Sequence, residues 1–170
     1  TISDAPGHVV SSTGRIDASQ VVITDSGGTA LSTSMGSVGQ GSTVRCSLCR
    51  LVGNSTNGIS AMTEGSTVTV NRSEISRNGS SGIIAYGGPW VIASTLEGNG
   101  IYMSSSDENF IVACDFQFLG GSGPAMGMIH DTAGTQTILG CNFVNGGNSR
   151  PAIRVQDAAA TKIVACNFDG

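Results

Sequence analysis

The sequence predicts an all-β fold, a parallel β-helix (a solenoid) of about six to seven coils. Three observations predict it. One short pattern recurs six times at nearly even intervals, apolar residues never keep helical spacing over twelve positions, and glycine, asparagine and serine punctuate the chain throughout. An antiparallel sandwich also needs short strands, but it would not place the same residue types at the same phase of a repeat.

The recurring pattern is an apolar residue, two further residues, Cys or Ser, any residue, and a large apolar residue. The six segments run over 46–51, 70–75, 91–96, 111–116, 138–143 and 163–168. Their Cys or Ser anchors are 24, 21, 20, 27 and 25 residues apart. Such even spacing, with insertions of varying length, is typical of stacked coils that differ only in their loops.

A corner motif follows the first three anchors. Asn54, Asn78 and Asn99 each fall five residues after an anchor, and a Gly-Ile pair begins the next strand at 58–59, 82–83 and 100–101. Glycine and asparagine adopt the bend conformations that a corner requires. We expect the asparagines to form an inward ladder whose amides satisfy the backbone at the corner. An earlier coil is predicted at 21–23 and 30–31.

Composition excludes two classes of partner. Only 12% of the residues are charged, the formal net charge is −4, and the eight Lys and Arg residues are scattered, so there is no basic stripe for nucleic acid. No apolar run approaches the roughly 18 residues that a membrane span needs. We therefore expect neither nucleic-acid binding nor membrane insertion.

Residues of equal phase in stacked coils form columns along the solenoid axis. Three columns are predicted to point inward: an Ile/Val column, a large apolar column ending in Phe116, Phe143 and Phe168, and the anchor column. The five cysteines are an odd number and fall in these columns, so we expect buried, reduced thiols. Cys46-x-x-Cys49 has no second ligand pair at metal-binding spacing, so neither a metal nor a cofactor is predicted. Reduced thiols suit a protein that folds in a cytoplasm.

The apolar-x-x-(Asn/Cys)-x-Phe repeat, followed by Asn and Gly-Ile, resembles the single-stranded right-handed parallel β-helix of the pectin-lyase-like superfamily over roughly residues 21–168. It is most similar to the β-helices of phage tailspikes and fibres. The resemblance implies the right-handed form of the fold. It implies little about activity, because this superfamily includes lyases, hydrolases, epimerases and non-catalytic fibres.

Four coils carry a large apolar residue and a small residue at outward positions where polar side chains are expected. The large residues are Ile92, Val112, Leu139 and Val164. A contiguous apolar stripe on a solenoid usually marks an interface, and small neighbours would let another chain approach closely. We predict lateral packing, most simply as a homotrimer around a common axis. The alternative is an internal loop that folds over the stripe.

The residue after each anchor is also predicted to point outward, where it could serve as a catalytic acid. Glu74 and Asp115 lie in this column two coils apart, about 9–10 Å by the strand spacing. That separation is at the edge of the roughly 6.5–9.5 Å range of inverting glycosidases. The alternative is structural: Glu74 pairs with Arg50 one coil away, and Asp115 meets only Asn142. The clustered calcium-binding aspartates of pectate lyases are missing, so the sequence leans against an enzyme.

Tyr86, Trp90 and Tyr102 form a concentration of aromatic residues outside the phenylalanine column. Exposed aromatic rings can stack on sugars, so these residues are predicted to form a glycan-binding patch. Packing in the core or in an interface explains them equally well.

Residues 1–20 are predicted to be an N-terminal lead-in segment or cap, and residues 21–170 the β-helix, either part of a longer chain or capped by a partner. The function predicted first is a structural and recognition component of a phage-like particle, a tail or head spike or fibre that binds host surface polysaccharide. A polysaccharide-degrading lyase or hydrolase is the alternative, and a β-helical adhesin or extracellular filament subunit is a third possibility. The predicted location is the virion, assembled in the bacterial cytoplasm, or else the extracellular space.

Overall fold

Short strands joined by tight corners make up the described chain. The computed structural model describes residues 1–34, 41–98, 100–104, 108–118, 129–131, 134–145, 151–156 and 160–169. These residues form 22 β-strands and no helix. The strands stack in parallel into a β-solenoid of about six turns, which confirms the predicted fold class.

Each strand pairs with the equivalent strands of the neighbouring coils, and this pairing builds three parallel sheets. Sheet A contains β1 (Ile2–Ser3), β4 (Val22–Thr24), β7 (Arg50–Val52), β10 (Glu74–Ser76), β13 (Thr95–Glu97), β16 (Asp115–Phe118), β19 (Asn142–Asn145) and β22 (Asn167–Asp169). Sheet B contains β2 (Val10–Ser12), β5 (Leu31–Thr33), β8 (Ile59–Ala61), β11 (Ile83–Ala85), β14 (Ile101–Met103), β17 (Ile129–Asp131) and β20 (Ile153–Val155). Sheet C contains β3 (Arg15–Ser19), β6 (Thr43–Ser47), β9 (Thr67–Asn71), β12 (Pro89–Ile92), β15 (Glu108–Val112), β18 (Thr135–Leu139) and β21 (Ala160–Val164).

The register of the sheets is the one that the repeat predicts. In sheet C the apolar column runs through Cys46, Val70, Val91, Ile111, Ile138 and Ile163. In sheet A the large apolar column runs through Ile23, Leu51, Ile75, Leu96, Phe116, Phe143 and Phe168. Both columns are buried except at the last coil, where Ile163 and Phe168 are exposed. The three phenyl rings stack, with successive ring centroids 4.9 Å apart.

The first 20 residues contribute one strand to each sheet. β1 pairs with β4, β2 with β5 and β3 with β6, all in parallel. Ile16 of β3 is buried, whereas Ile2 of β1 is exposed. The segment predicted as a lead-in or cap therefore has the same three-sheet arrangement as the coils that follow it.

The corner from sheet C to sheet A uses a left-handed residue in every coil from the first to the last. These residues are Gln20, Leu48, Arg72, Ala93, Ala113, Gly140 and Ala165, with φ between 47° and 61°. A non-glycine residue in this region costs roughly 1–2 kcal/mol. The backbone hydrogen bonds between coils continue through the bend. For example, the N–H of Leu48 donates to Asn71 O at 3.0 Å, and the N–H of Ala113 donates to Leu139 O at 2.9 Å. This continuous ladder holds the strained residues in place.

An inward asparagine ladder spans the corner between sheets A and B, as predicted for Asn54 and Asn78. Both side chains are buried. The amide of Asn54 donates to Asn78 Oδ1 at 2.8 Å, and its own Oδ1 accepts from the hydroxyl of Ser26 at 2.7 Å. Asn78 in turn donates to Leu51 O at 3.2 Å. Asn99, the third predicted member, lies outside the described residues.

Coil stacking leaves no room for a side chain at Gly79. A Cβ atom there would lie 2.1 Å from the carbonyl oxygen of Ser55, a backbone atom of the preceding coil. We therefore expect Gly79→Ala to lower the free energy of unfolding by roughly 1–3 kcal/mol, measured by denaturant unfolding. Gly14→Ala is the matched control, since a Cβ at Gly14 would meet no atom within 4 Å. Equal stability of the two variants would contradict this account of the stacking.

Candidate functional site

The outer face of sheet C carries the predicted apolar stripe. Ile92, Val112, Leu139 and Val164 occupy the last positions of β12, β15, β18 and β21 and lie in register. Ile92 is 37% exposed, Leu139 40% and Val164 39%, and Val112 is half-buried. The stripe is therefore open to solvent along four successive coils.

An aromatic pair extends the stripe. Trp90 and Phe110 lie two residues before Ile92 and Val112 on the same strands, so they share the outer face. Their ring centroids are 5.0 Å apart at an interplanar angle of 59°, and Trp90 is 48% exposed. We call the six residues Trp90, Ile92, Phe110, Val112, Leu139 and Val164 the sheet C flank. Phe110 was not among the predicted site residues. The repeat could have indicated it, because Phe110 occupies the position of Trp90 in the next coil.

The flank begins abruptly along the solenoid axis. In the two preceding strands the same outward columns carry Arg45 and Ser47, then Thr69 and Asn71. Thr137 and Lys162 border the flank in its last two strands. The apolar surface is thus confined to the second half of the described solenoid, and polar residues precede it along the axis.

The small residues beside the stripe all occupy the corner from sheet C to sheet A. Ala93, Ala113, Gly140 and Ala165 are the left-handed corner residues, with φ of 47°, 52°, 61° and 53°. Leu48 and Arg72 hold the same conformation in earlier coils, so the bend accepts larger side chains. Small residues at these corners leave the neighbouring stripe uncovered.

The three predicted glycan-binding aromatics do not share one face. Trp90 lies on the outer face of sheet C, and Tyr102 lies in β14 of sheet B, next to Ile84. Tyr86 lies at the corner between these sheets, just after β11, and is 38% exposed. The structure therefore groups Trp90 with the apolar stripe and leaves Tyr86 and Tyr102 on the side of sheet B.

Glu74 is held in a structural network on the outer face of sheet A. Its Oε2 accepts a hydrogen bond from Arg50 Nε at 2.8 Å, and its Oε1 accepts one from the hydroxyl of Ser76 at 3.0 Å. This is the ion pair that the sequence offered as the alternative to catalysis. Both carboxylate oxygens are therefore engaged by neighbouring side chains of sheet A.

Asp115 lies two strands from Glu74 in the same column. Thr95 stands between them, since it is in register with both. Asp115 is also in register with Asn142, the neighbour named in the non-catalytic alternative. The outward ladder continues beyond it, because Asn167 Nδ2 donates to Asn142 Oδ1 at 2.9 Å.

The anchor column is a ladder of thiols and hydroxyls. Cys49, Cys114 and Cys141 are buried and Cys166 is half-buried, and all are free thiols. The anchors Cys49, Ser73, Ser94, Cys114, Cys141 and Cys166 each donate to the carbonyl two residues earlier. Serine and cysteine are therefore interchangeable at this position, as the repeat predicts.

Neighbouring thiols in the interior perturb one another. A hydrogen bond from Cys114, opposed by burial, lowers the pKa of Cys141 to about 7. The same contact and burial raise the pKa of Cys114. Cys49 and Cys46 form a second such pair, in which the pKa of Cys49 is lowered to about 7 and that of Cys46 is raised. Because the thiols are packed inside the solenoid, this chemistry is shielded from substrates.

In the described part of the chain, no group of three or more His, Cys, Asp and Glu side chains is placed to hold a metal ion. No helix among the same residues is long and apolar enough to cross a membrane.

Comparisons with protein-family models, with curated proteins and with solved structures yield no match.

The structural role of Glu74 leads to a stability prediction. The Arg50 and Glu74 side chains are 51% and 38% exposed, and an exposed ion pair contributes no more than about 1 kcal/mol. Glu74→Gln should therefore lower the free energy of unfolding by less than about 1 kcal/mol, measured in urea beside the matched variant Glu97→Gln, which breaks the Arg77–Glu97 pair. Any polysaccharide cleavage by the wild type should persist in Glu74→Gln, and its loss would return Glu74 to a catalytic role.

Proposed function

We propose that this protein is a structural and recognition component of a phage-like particle, a homotrimeric spike or fibre that binds host surface polysaccharide. The observation that carries the proposal is the sheet C flank, six apolar residues on the outer face of a regular solenoid. The resemblance of the repeat to the β-helices of tailspikes and fibres supports the link to a virion.

The flank supports self-association because its shape suits a second solenoid. Its residues lie in straight columns parallel to the solenoid axis, so copies can lie side by side along four coils. Aromatic and aliphatic groups dominate it, and interfaces are enriched in such residues at their centre. The polar residues at its borders, such as Thr69 and Lys162, fit the rim of an interface.

Three copies suit the flank better than two. Its outermost column lies beside the corner from sheet C to sheet A, so it forms a ridge rather than the middle of a flat face. In a trimer each ridge contacts two others, which removes more apolar surface from water per chain than a pair does.

Assembly through the flank would leave sheet B for the ligand. Trp90 belongs to the flank, whereas Tyr86 and Tyr102 lie on the side of sheet B. Partly exposed tyrosines offer an apolar face for sugar stacking and a hydroxyl for hydrogen bonding. We assign the polysaccharide contact to these two tyrosines, and Trp90 to the interface.

The two alternative functions have less support. A glycoside hydrolase needs a pair of acidic groups, and Glu74, one of the two predicted, is engaged by Arg50 and Ser76. An extracellular adhesin or filament is less compatible with five free thiols, because free thiols are rare in oxidising surroundings.

The interface is tested by placing a charge in it. Leu139→Lys should convert the trimer to a monomer, because three buried lysines at a common axis would repel each other and lose water. Light scattering at several concentrations measures the mass. Met62→Lys is the matched control, since Met62 is 51% exposed but lies outside sheet C, and it should remain a trimer. A monomeric wild type would overturn the assembly proposal.

The ligand surface is tested separately. Tyr86→Ala should weaken binding to an array of bacterial surface polysaccharides by about tenfold, the loss expected for one stacked ring, without changing the mass. Leu48→Ala, at the corner from sheet C to sheet A and 50% exposed, should bind like the wild type. Undiminished binding by Tyr86→Ala and by Tyr102→Ala would show that the polysaccharide contacts another surface.

A further inference from the structure

Two buried amide side chains interrupt the apolar interior behind the sheet C flank. Asn109 in β15 is 1% exposed, and Gln136 in β18 is 0% exposed. They are in register in adjacent coils, immediately before Phe110 and Thr137. The same inward column carries Val44, Val68 and Pro89 in earlier coils, so the amides follow three apolar side chains, and Thr161 comes after them in the last described coil.

All four polar atoms of this pair lack a hydrogen-bond partner. They are Asn109 Nδ2 and Oδ1 and Gln136 Nε2 and Oε1. Buried amides elsewhere in the described core are bonded, as Asn54 and Asn78 show. An unpaired buried amide is strongly destabilising, so a pair of them at one place calls for a further partner.

Direct contact between the two amides would not satisfy them. If Gln136 Nε2 donates to Asn109 Oδ1, then Asn109 Nδ2 still needs an acceptor and Gln136 Oε1 still needs a donor. The missing partner must therefore donate and accept at once. It must also be small, because the surrounding core side chains, including Ile111 and Ile138, are fully buried. Water meets both requirements, and buried waters commonly bridge such groups.

We propose that Asn109 and Gln136 form an internal hydration site, in which at least one long-lived water molecule accepts from one amide and donates to the other. The site lies inside the solenoid directly behind Phe110, between the second and third strands of the flank. It is independent of the proposed assembly, because it faces the interior.

Magnetic relaxation dispersion of water ¹⁷O counts long-lived internal waters and tests the site on the wild-type protein. The wild type should show at least one such water that is absent from Asn109→Leu/Gln136→Met, a variant that replaces both amides by apolar groups. Asn78→Ala, which alters a polar corner elsewhere in the core, should retain it. An identical dispersion for the wild type and the double variant would overturn the proposal.

A second measurement needs no variant, in case the double variant fails to fold. A crystal structure at high resolution should place a water within hydrogen-bond distance of both amides. Amides bonded to protein groups alone, with no water between them, would overturn the proposal.

Discussion

The hydrogen-bonded stacking of one coil on the next is the constraint on which the rest of this structure depends. Parallel strands in adjacent coils exchange backbone hydrogen bonds at a spacing of about 4.8 Å, and the phenyl rings of Phe116, Phe143 and Phe168 repeat at 4.9 Å. An interior side chain can therefore be replaced only if the new one still packs against the equivalent side chains in the coils above and below. This explains why the interior consists of columns and why the large apolar column of sheet A stays apolar from Ile23 to Phe168.

Coil stacking also restricts the backbone at the corners, but it does not restrict which side chains stand on the outer faces. At the corner from sheet C to sheet A the backbone ladder continues through a left-handed residue, so Leu48 and Arg72 adopt a conformation that non-glycine residues usually avoid. At Gly79 the preceding coil comes so close that only hydrogen fits. Outward positions carry no such restriction. A run of apolar side chains on the outer face, as in the sheet C flank, therefore calls for an explanation outside the single chain.

The sequence predicted the interior well because interior positions repeat. The apolar columns, the anchor column and the asparagine ladder at Asn54 and Asn78 all follow from equal phase in successive coils. Even the ion pair of Arg50 and Glu74 could be expected, since the two residues occupy one column in adjacent coils.

The surface was harder to predict, because the sheet to which an exposed side chain belongs depends on where each corner lies in the sequence. Trp90 and Tyr102 are close in sequence, but two corners and strand β13 separate them, so their side chains belong to different sheets. The left-handed conformation of Ala93 and Ala113 gives no sequence signal when Leu or Arg can replace them. The buried amides of Asn109 and Gln136 break the apolar pattern of their column, and only the assembled core shows that they lack partners.

The fluorescence of Trp90 tests the central claim most directly, which is that the sheet C flank is an interface between copies of this chain. Trp90 is the only tryptophan, and it is 48% exposed in the single chain. If the flank is buried on assembly, the emission maximum will be that of a ring shielded from water, and it will move to longer wavelength on dilution below the assembly range. Emission from a water-exposed ring at every concentration would contradict the claim.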